Sequence, residues 1–251
     1  MLYHLLKTVI QVWVNKLYPR SYDIKQPSLY SIISFSLFSV VTELLTTLNY
    51  SADIIMLNNV VTDAELGYYS VGVTLSSMLW IIPDAFKEVL SNKTAKSDSL
   101  SQIIFSIKFN IYFCFSIAIL FILFGQGFIN LFYGPAFSNA YIVTVILLLG
   151  AIPMVLFKLI NTLFQSVGKH RITTKVLAVS VSLNILINLI AIPLYGIYGA
   201  AITTIATYFI CGYLMLKIFS TQYQLKISQI LLLDKTDSEL LKKMLFKIYK
   251  K

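Results

Sequence analysis

Between Lys108 and Lys158 the chain carries no Asp, Glu, Lys or Arg, and between Lys175 and Lys217 it again carries none. A helix folded in water needs a polar face along its length, whereas one crossing the hydrocarbon of a bilayer needs about 20 mainly apolar residues. Each run is long enough for two such crossings. Composition agrees: 57% of residues are hydrophobic and 12% charged, against roughly 25% charged in soluble domains, and mean hydropathy is +0.78. The expected fold class is an all-α polytopic membrane protein.

Gly, Pro and Asn punctuate the apolar sequence into six expected spans. They run from Leu29 to Tyr50, with helix continuing towards Leu57, and then from Tyr69 to Phe86, Ile104 to Phe124, Ala140 to Leu163, Val176 to Ile192 and Ile197 to Phe219. The chain thus divides into an amphipathic segment 1–27, a six-helix transmembrane region 28–219 and a basic amphipathic tail 220–251. In the first segment Leu2, Leu5, Leu6, Val9, Trp13 and Leu17 recur at helical spacing, as for a helix lying in the interface or left from an upstream crossing. In the tail, Thr236 and Glu239 have capping-box spacing ahead of Leu240, Leu241, Met244, Leu245 and Ile248.

The net charge of +9 reads as topology and not as nucleic-acid binding. Of the 20 basic residues, 18 lie in the N-terminal segment, the connections around Lys93 and Arg171, and the tail. The connections near Asp63, Gly134 and Tyr195 have none. Basic loops stay in the cytoplasm, so both termini are expected there, with anionic membrane lipids as neighbours. Tyr50, Tyr68, Tyr69, Tyr133, Tyr141, Tyr195 and Tyr198 are expected to form the outer aromatic belt.

No enzyme constellation is present. There is no Walker-type phosphate loop, His4 and His170 have no nucleophile placed beside them, and no connection is long enough for a catalytic domain. Cys114 and Cys211, far apart inside apolar runs, read as packing thiols. No metal site and no cofactor are expected.

The informative residues are those that hydrocarbon excludes, since a charge at mid-bilayer costs on the order of 2.5–3.5 kcal/mol on insertion scales. Glu43 lies near the centre of the first span with Ser36, Ser39, Thr47 and Tyr50 on its face, a stripe expected to line a wet surface. Lys158, Asn161 and Gln165 repeat the pattern in the fourth span, although the Lys158 stem also allows snorkelling. Ser180, Asn184 and Asn188 recur in the fifth, suited either to substrate or to interhelical hydrogen bonds. Asp53 is either a polar site or an outward-facing carboxylate. Asp84, after Pro83, reads as a site or as an inner-boundary pair with Lys87. Pro83, Pro153 and Pro193 each remove a backbone hydrogen bond and permit a kink.

Several stretches resemble bacterial polysaccharide flippases of the O-antigen and capsule type, within the multidrug/oligosaccharidyl-lipid/polysaccharide exporter superfamily. They are Ser51-Ala-Asp-Ile-Ile-Met-Leu57, Asp63-Ala-Glu-Leu-Gly-Tyr-Tyr-Ser70, Phe132-Tyr-Gly-Pro-Ala-Phe137, Gln165-Ser-Val-Gly-Lys169, the Asn184 to Asn188 segment, and Ile192-Pro-Leu-Tyr-Gly-Ile-Tyr-Gly-Ala-Ala201. The resemblance covers about Gln26 to Phe219 and corresponds to the C-terminal lobe of such transporters. It implies movement of a polyprenyl-pyrophosphate-linked oligosaccharide across the cytoplasmic membrane by alternating access between two six-helix lobes. Glu43, Lys158, Asn161, Gln165, Asn184 and Asn188 would then line the substrate cavity, with Lys158 offsetting phosphate charge and Glu43 or Asp53 binding a coupling ion. It further implies a partner lobe or a homo-oligomer, from a truncated or split transporter. Drug or cation efflux within the same superfamily, and a non-transporting scaffold of polysaccharide assembly, are the alternative expectations.

Overall fold

The computed structural model describes residues 29–93, 99–234 and 237. The amphipathic segment 1–27 and, apart from Asp237, the expected helix from Thr236 to Ile248 lie outside the described residues. The chain separates into two compact units, Met1–Leu37 and Phe38–Lys251; of the first, only the beginning of one helix is described.

Every regular element among the described residues is helical. In chain order these are α1 (Leu29–Leu57), α2 (Asp63–Met78), α3 (Ile81–Lys93), α4 (Ser99–Phe132), a 3-10 turn (Pro135–Phe137), α5 (Ala140–Ser166), α6 (His170–Gln222) and α7 (Ile227–Leu231). Four helices, α1, α4, α5 and α6, are long and apolar enough to cross a membrane, and α2 with α3 would make a fifth as one span bent by 41°.

The bend has a covalent cause. Pro83 has no N–H to donate to the carbonyl of Leu79, four residues back, so the helical ladder lapses at Leu79 and Trp80. The thiol of Cys114 on α4 approaches the freed Leu79 oxygen at 3.7 Å. The second expected span, Tyr69 to Phe86, is therefore two helices. It also starts earlier, at Asp63, because Thr62 and Glu65 close a capping box: the Glu65 amide donates to Thr62 Oγ1 and the Thr62 amide to Glu65 Oε2.

Helix α6 is two helices in sequence. Gly196 has φ 54° and ψ −135°, a conformation open to glycine and strained for other residues. On a straight helix Ser180 and Thr207 would stand about 40 Å apart at ~1.5 Å per residue, yet Ser180 Oγ donates to the Thr207 carbonyl at 3.1 Å. The halves before and after Gly196 therefore fold back on each other as a hairpin, at the place where the fifth and sixth expected spans meet.

Helix α5 is the hub, with α2, α3, α4 and α6 all packed on it. Its buried side chains, including Leu148, Met154, Leu159, Ile160 and Phe164, form the middle of the core with Ile107 of α4 and Cys211, Met215 and Phe219 of α6. Close approach to the second half of α6 depends on Gly212: a Cβ there would collide with the Pro153 carbonyl oxygen. Small residues at helix crossings allow this backbone contact in membrane bundles.

The connections sort by charge. Val61 packs on the cluster that holds Ile197 and the Phe137 ring lies 5.9 Å from that of Tyr68, gathering at one end of the bundle the connections that carry no Lys or Arg. At the other end Thr42 of α1 bonds Thr174 of α6 at 2.7 Å, and Arg171 lies 5.2 Å from the Phe38 ring centre. The tail folds back there as α7, with Ile230 fully buried and Asp237 paired to Lys108 of α4 at 2.7 Å.

The aromatic-belt expectation needs correction at two positions. Tyr69 is fully buried, and the Tyr50 ring lies 4.6 Å from that of Trp80 inside the bundle; both are held by partners within the protein. Tyr195 and Tyr198 are exposed at the basic-free end, as a belt requires.

Candidate functional site: a charged cavity between α1, α2, α3, α5 and α6

A cavity of about 430 Å³ lies among apolar helices and carries three charged side chains, Asp53, Asp84 and Lys158. Tyr50, Trp80 and Tyr208 supply its aromatic wall, and Ser51, Ser76, Ser77 and Thr204 its hydroxyls. Each side chain arrives by a separate route. Asp53 and Tyr50 stand on α1, Trp80 sits in the α2/α3 break, and Asp84 follows Pro83 at the start of α3. Lys158 comes from α5, and Thr204 and Tyr208 from the second half of α6.

Lys158 and Asp84 form an ion pair, with Nζ 2.8 and 3.0 Å from the two carboxylate oxygens. The ammonium also stands 4.8 Å from the Trp80 ring centre and 5.8 Å from that of Tyr50, within cation–π range. Lys158 is enclosed, at 13% side-chain exposure, whereas Asp84 is open at 48%. Lys158 therefore does not snorkel to the interface, and Asp84 pairs with it and not with Lys87. The phosphate-offsetting charge expected of Lys158 is already neutralised within the protein.

Asp53 forms the other pole. It is buried, accepts from the Tyr69 hydroxyl, from Thr204 Oγ1 at 3.0 Å and from the Ile54 amide at 2.9 Å. It does not face external water. From Thr204 a polar chain enters the α6 hairpin: Asn184 Nδ2 donates to Thr204 and Thr207 at 3.4 and 3.3 Å, and Asn188 Nδ2 donates to Asn184 Oδ1 at 3.1 Å. Asn188 Oδ1 has no partner among the described residues.

Of the residues expected to line a cavity or bind an ion, Asp53 and Lys158 do line this one. Asn184 joins the two halves of α6 through Thr204 and Thr207, and Asn188 bonds Asn184 within its own half; neither is among the residues lining the cavity. Asn161 is buried, its Oδ1 without a partner among the described residues, and Gln165 is half-buried near the end of α5; neither lines the cavity. Glu43 is exposed on α1, as are Ser36 and Thr47, so this part of the stripe does not enter the cavity, whereas Tyr50 at the end of the same stripe lines it. Trp80, Tyr69, Thr204 and Tyr208 were not legible as site residues, because each is an ordinary span residue until its neighbours are known. Among the described residues no three His, Cys, Asp or Glu gather as a metal-binding group. Cys114 and Cys211 are free and buried.

The chain is similar to an uncharacterized membrane protein of Methanocaldococcus jannaschii, with 33% identity over 145 residues, covering 57% of this chain and 26% of that protein. It therefore spans about a quarter of the length of that relative. No family model matches the chain. No solved structure matches it either.

Proposed function

We propose that this chain forms one lobe of a transporter that flips polyprenyl-pyrophosphate-linked oligosaccharide across the cytoplasmic membrane for surface polysaccharide synthesis. The observation that carries this reading is the cavity: charged, hydroxyl-bearing and aromatic surface enclosed by helices whose outer faces are apolar. Such polar groups inside a membrane bundle are costly and generally serve a substrate or ion path. Counting α1, the bent α2/α3 pair, α4, α5 and the two halves of α6 gives six crossings. The basic end then faces the cytoplasm by the positive-inside rule.

Saccharide hydroxyls meet the Ser, Thr and Asp groups, aromatic rings face the sugar, and the prenyl chain stays in lipid. Asp53 is the ion-coupling group in this scheme, because its carboxylate is buried against hydroxyl and amide donors and pairs with no Lys or Arg among the described residues. Glu43 faces a second lobe, since exposure to lipid would carry the mid-bilayer cost. The carboxylates and aromatic rings also suit cationic drug efflux, the second reading.

Complementation separates the two. In a flippase-deficient strain, co-expression with a first lobe restores surface polysaccharide, the chain alone does not, and Asp53→Ala abolishes restoration without changing membrane abundance. Dye efflux with no polysaccharide restored would refute the flippase reading, and restoration by the chain alone would refute the two-lobe requirement.

A further inference from the structure

The cavity holds a cage for a cation, and a side chain of the protein already occupies it. Lys158 Nζ has a carboxylate at 2.8 Å and an indole face at 4.8 Å, with a phenol ring at 5.8 Å. Carboxylate with aromatic faces is the chemistry that recognises organic ammonium groups. The occupant is tethered at only one end, and Asp84 on the opposing wall is about half exposed, so a second ammonium can reach the carboxylate as Lys158 withdraws.

We propose that Asp84, Trp80 and Tyr50 form a binding site for an ammonium group on the transported molecule, with Lys158 as its resident competitor. The released lysine then pairs with an anionic group of the same cargo. A molecule bearing both an amine and a phosphate satisfies both halves of the opened pair. Assigning the amine to an amino sugar rests on the flippase reading; ammonium binding itself does not.

Trp80 offers the readout, because the sequence has one other tryptophan, Trp13. Full-length protein with Trp13→Phe is placed in lipid nanodiscs and Trp80 fluorescence is titrated with glucosamine, tetramethylammonium and their neutral counterparts, glucose and tert-butanol. An ammonium ligand changes the emission and the neutral counterparts do not. Lys158→Met tightens ammonium binding about tenfold, the scale of one partly desolvated cation–π contact, and Asp84→Asn weakens it by a similar factor. Inorganic pyrophosphate tightens ammonium binding in the Lys158 protein and has no such effect in Lys158→Met. Lys158→Gln serves where the methionine variant does not fold.

Equal affinity with and without Lys158, unimpaired binding by Asp84→Asn, or an equal response to the neutral ligands overturns the proposal. Binding of tetramethylammonium but not glucosamine supports the ammonium site and counts against the glycan cargo, so the two readings fail separately.

Discussion

Removing the Asp237 carboxylate is expected to release the tail from α4. Lys108 and Asp237 meet at 2.7 Å with side-chain exposures of 5% and 8%, and breaking one side of a buried pair typically costs 3–5 kcal/mol. Two features reduce that figure here. Lys108 lies about 14 Å along α4 from Ser99 at ~1.5 Å per residue, near enough to an end for its stem to carry the ammonium outward. Asparagine also retains an oxygen for the Asp234 amide, which donates to Asp237 at 2.6 Å. About 2–3 kcal/mol remains, or roughly a 30- to 150-fold rise in tail opening. Against it the tail keeps the burial of Ile230, worth about 1.5–3 kcal/mol. Hydrogen exchange of the α7 amides in Asp237→Asn should accelerate by that factor while exchange in α5 stays unchanged. In a double-mutant cycle, Lys108→Met should leave little further effect for Asp237→Asn, because the unpaired charge is gone. Unchanged α7 protection in Asp237→Asn, or additive effects in the cycle, would refute the clamp.

Three other outcomes follow from geometry. Gly212→Ala places a methyl against the Pro153 carbonyl and should lower stability in detergent by about 1–3 kcal/mol, measured by thermal unfolding; an unchanged midpoint would contradict the close helix crossing. Gly196→Ala forces a side chain into the positive-φ hinge and should cost about 1–3 kcal/mol, seen as earlier unfolding in the same assay and absent if the hinge is straight helix. Cys114 and Cys211, both fully buried, should resist maleimide in the folded protein and label fully in SDS; rapid labelling of the folded protein would place them on accessible surface.

Much of the architecture was legible because it is local. Charge-free runs mark the apolar helices, and the boundary between Ile192 and Ile197 falls where α6 turns at Gly196; Pro83 indicates only a kink within one expected span, which the structure breaks into two helices. Asp53 and Lys158 stood out because hydrocarbon excludes their charges. The Glu43 stripe shows the limit of such reasoning: periodicity puts its polar residues on one helical face without saying what that face meets, and Ser36, Glu43 and Thr47 are exposed while Tyr50 lines the cavity. Asn184 and Asn188 show the same limit in reverse. Their spacing reads equally well as substrate lining or helix glue; the α6 hairpin brings Thr204 and Thr207 to Asn184, which bonds across it, and Asn188 bonds Asn184 in turn.

The sequence by itself determined that this chain is helical and suited to a membrane, where its helices can turn, and which side chains are too polar to lie in lipid without a partner. All of these follow from the solvation of single residues and the hydrogen bonding of one stretch of backbone. Tertiary structure alone decided the partnerships: Lys158 with Asp84 across 74 positions, Tyr69 and Thr204 around Asp53, and Lys108 with the tail. Those contacts depend on the angle at the α2/α3 break and on the approach of α6 to α5 at Gly212. Such angles come from packing between elements distant in sequence, and no single apolar period records them.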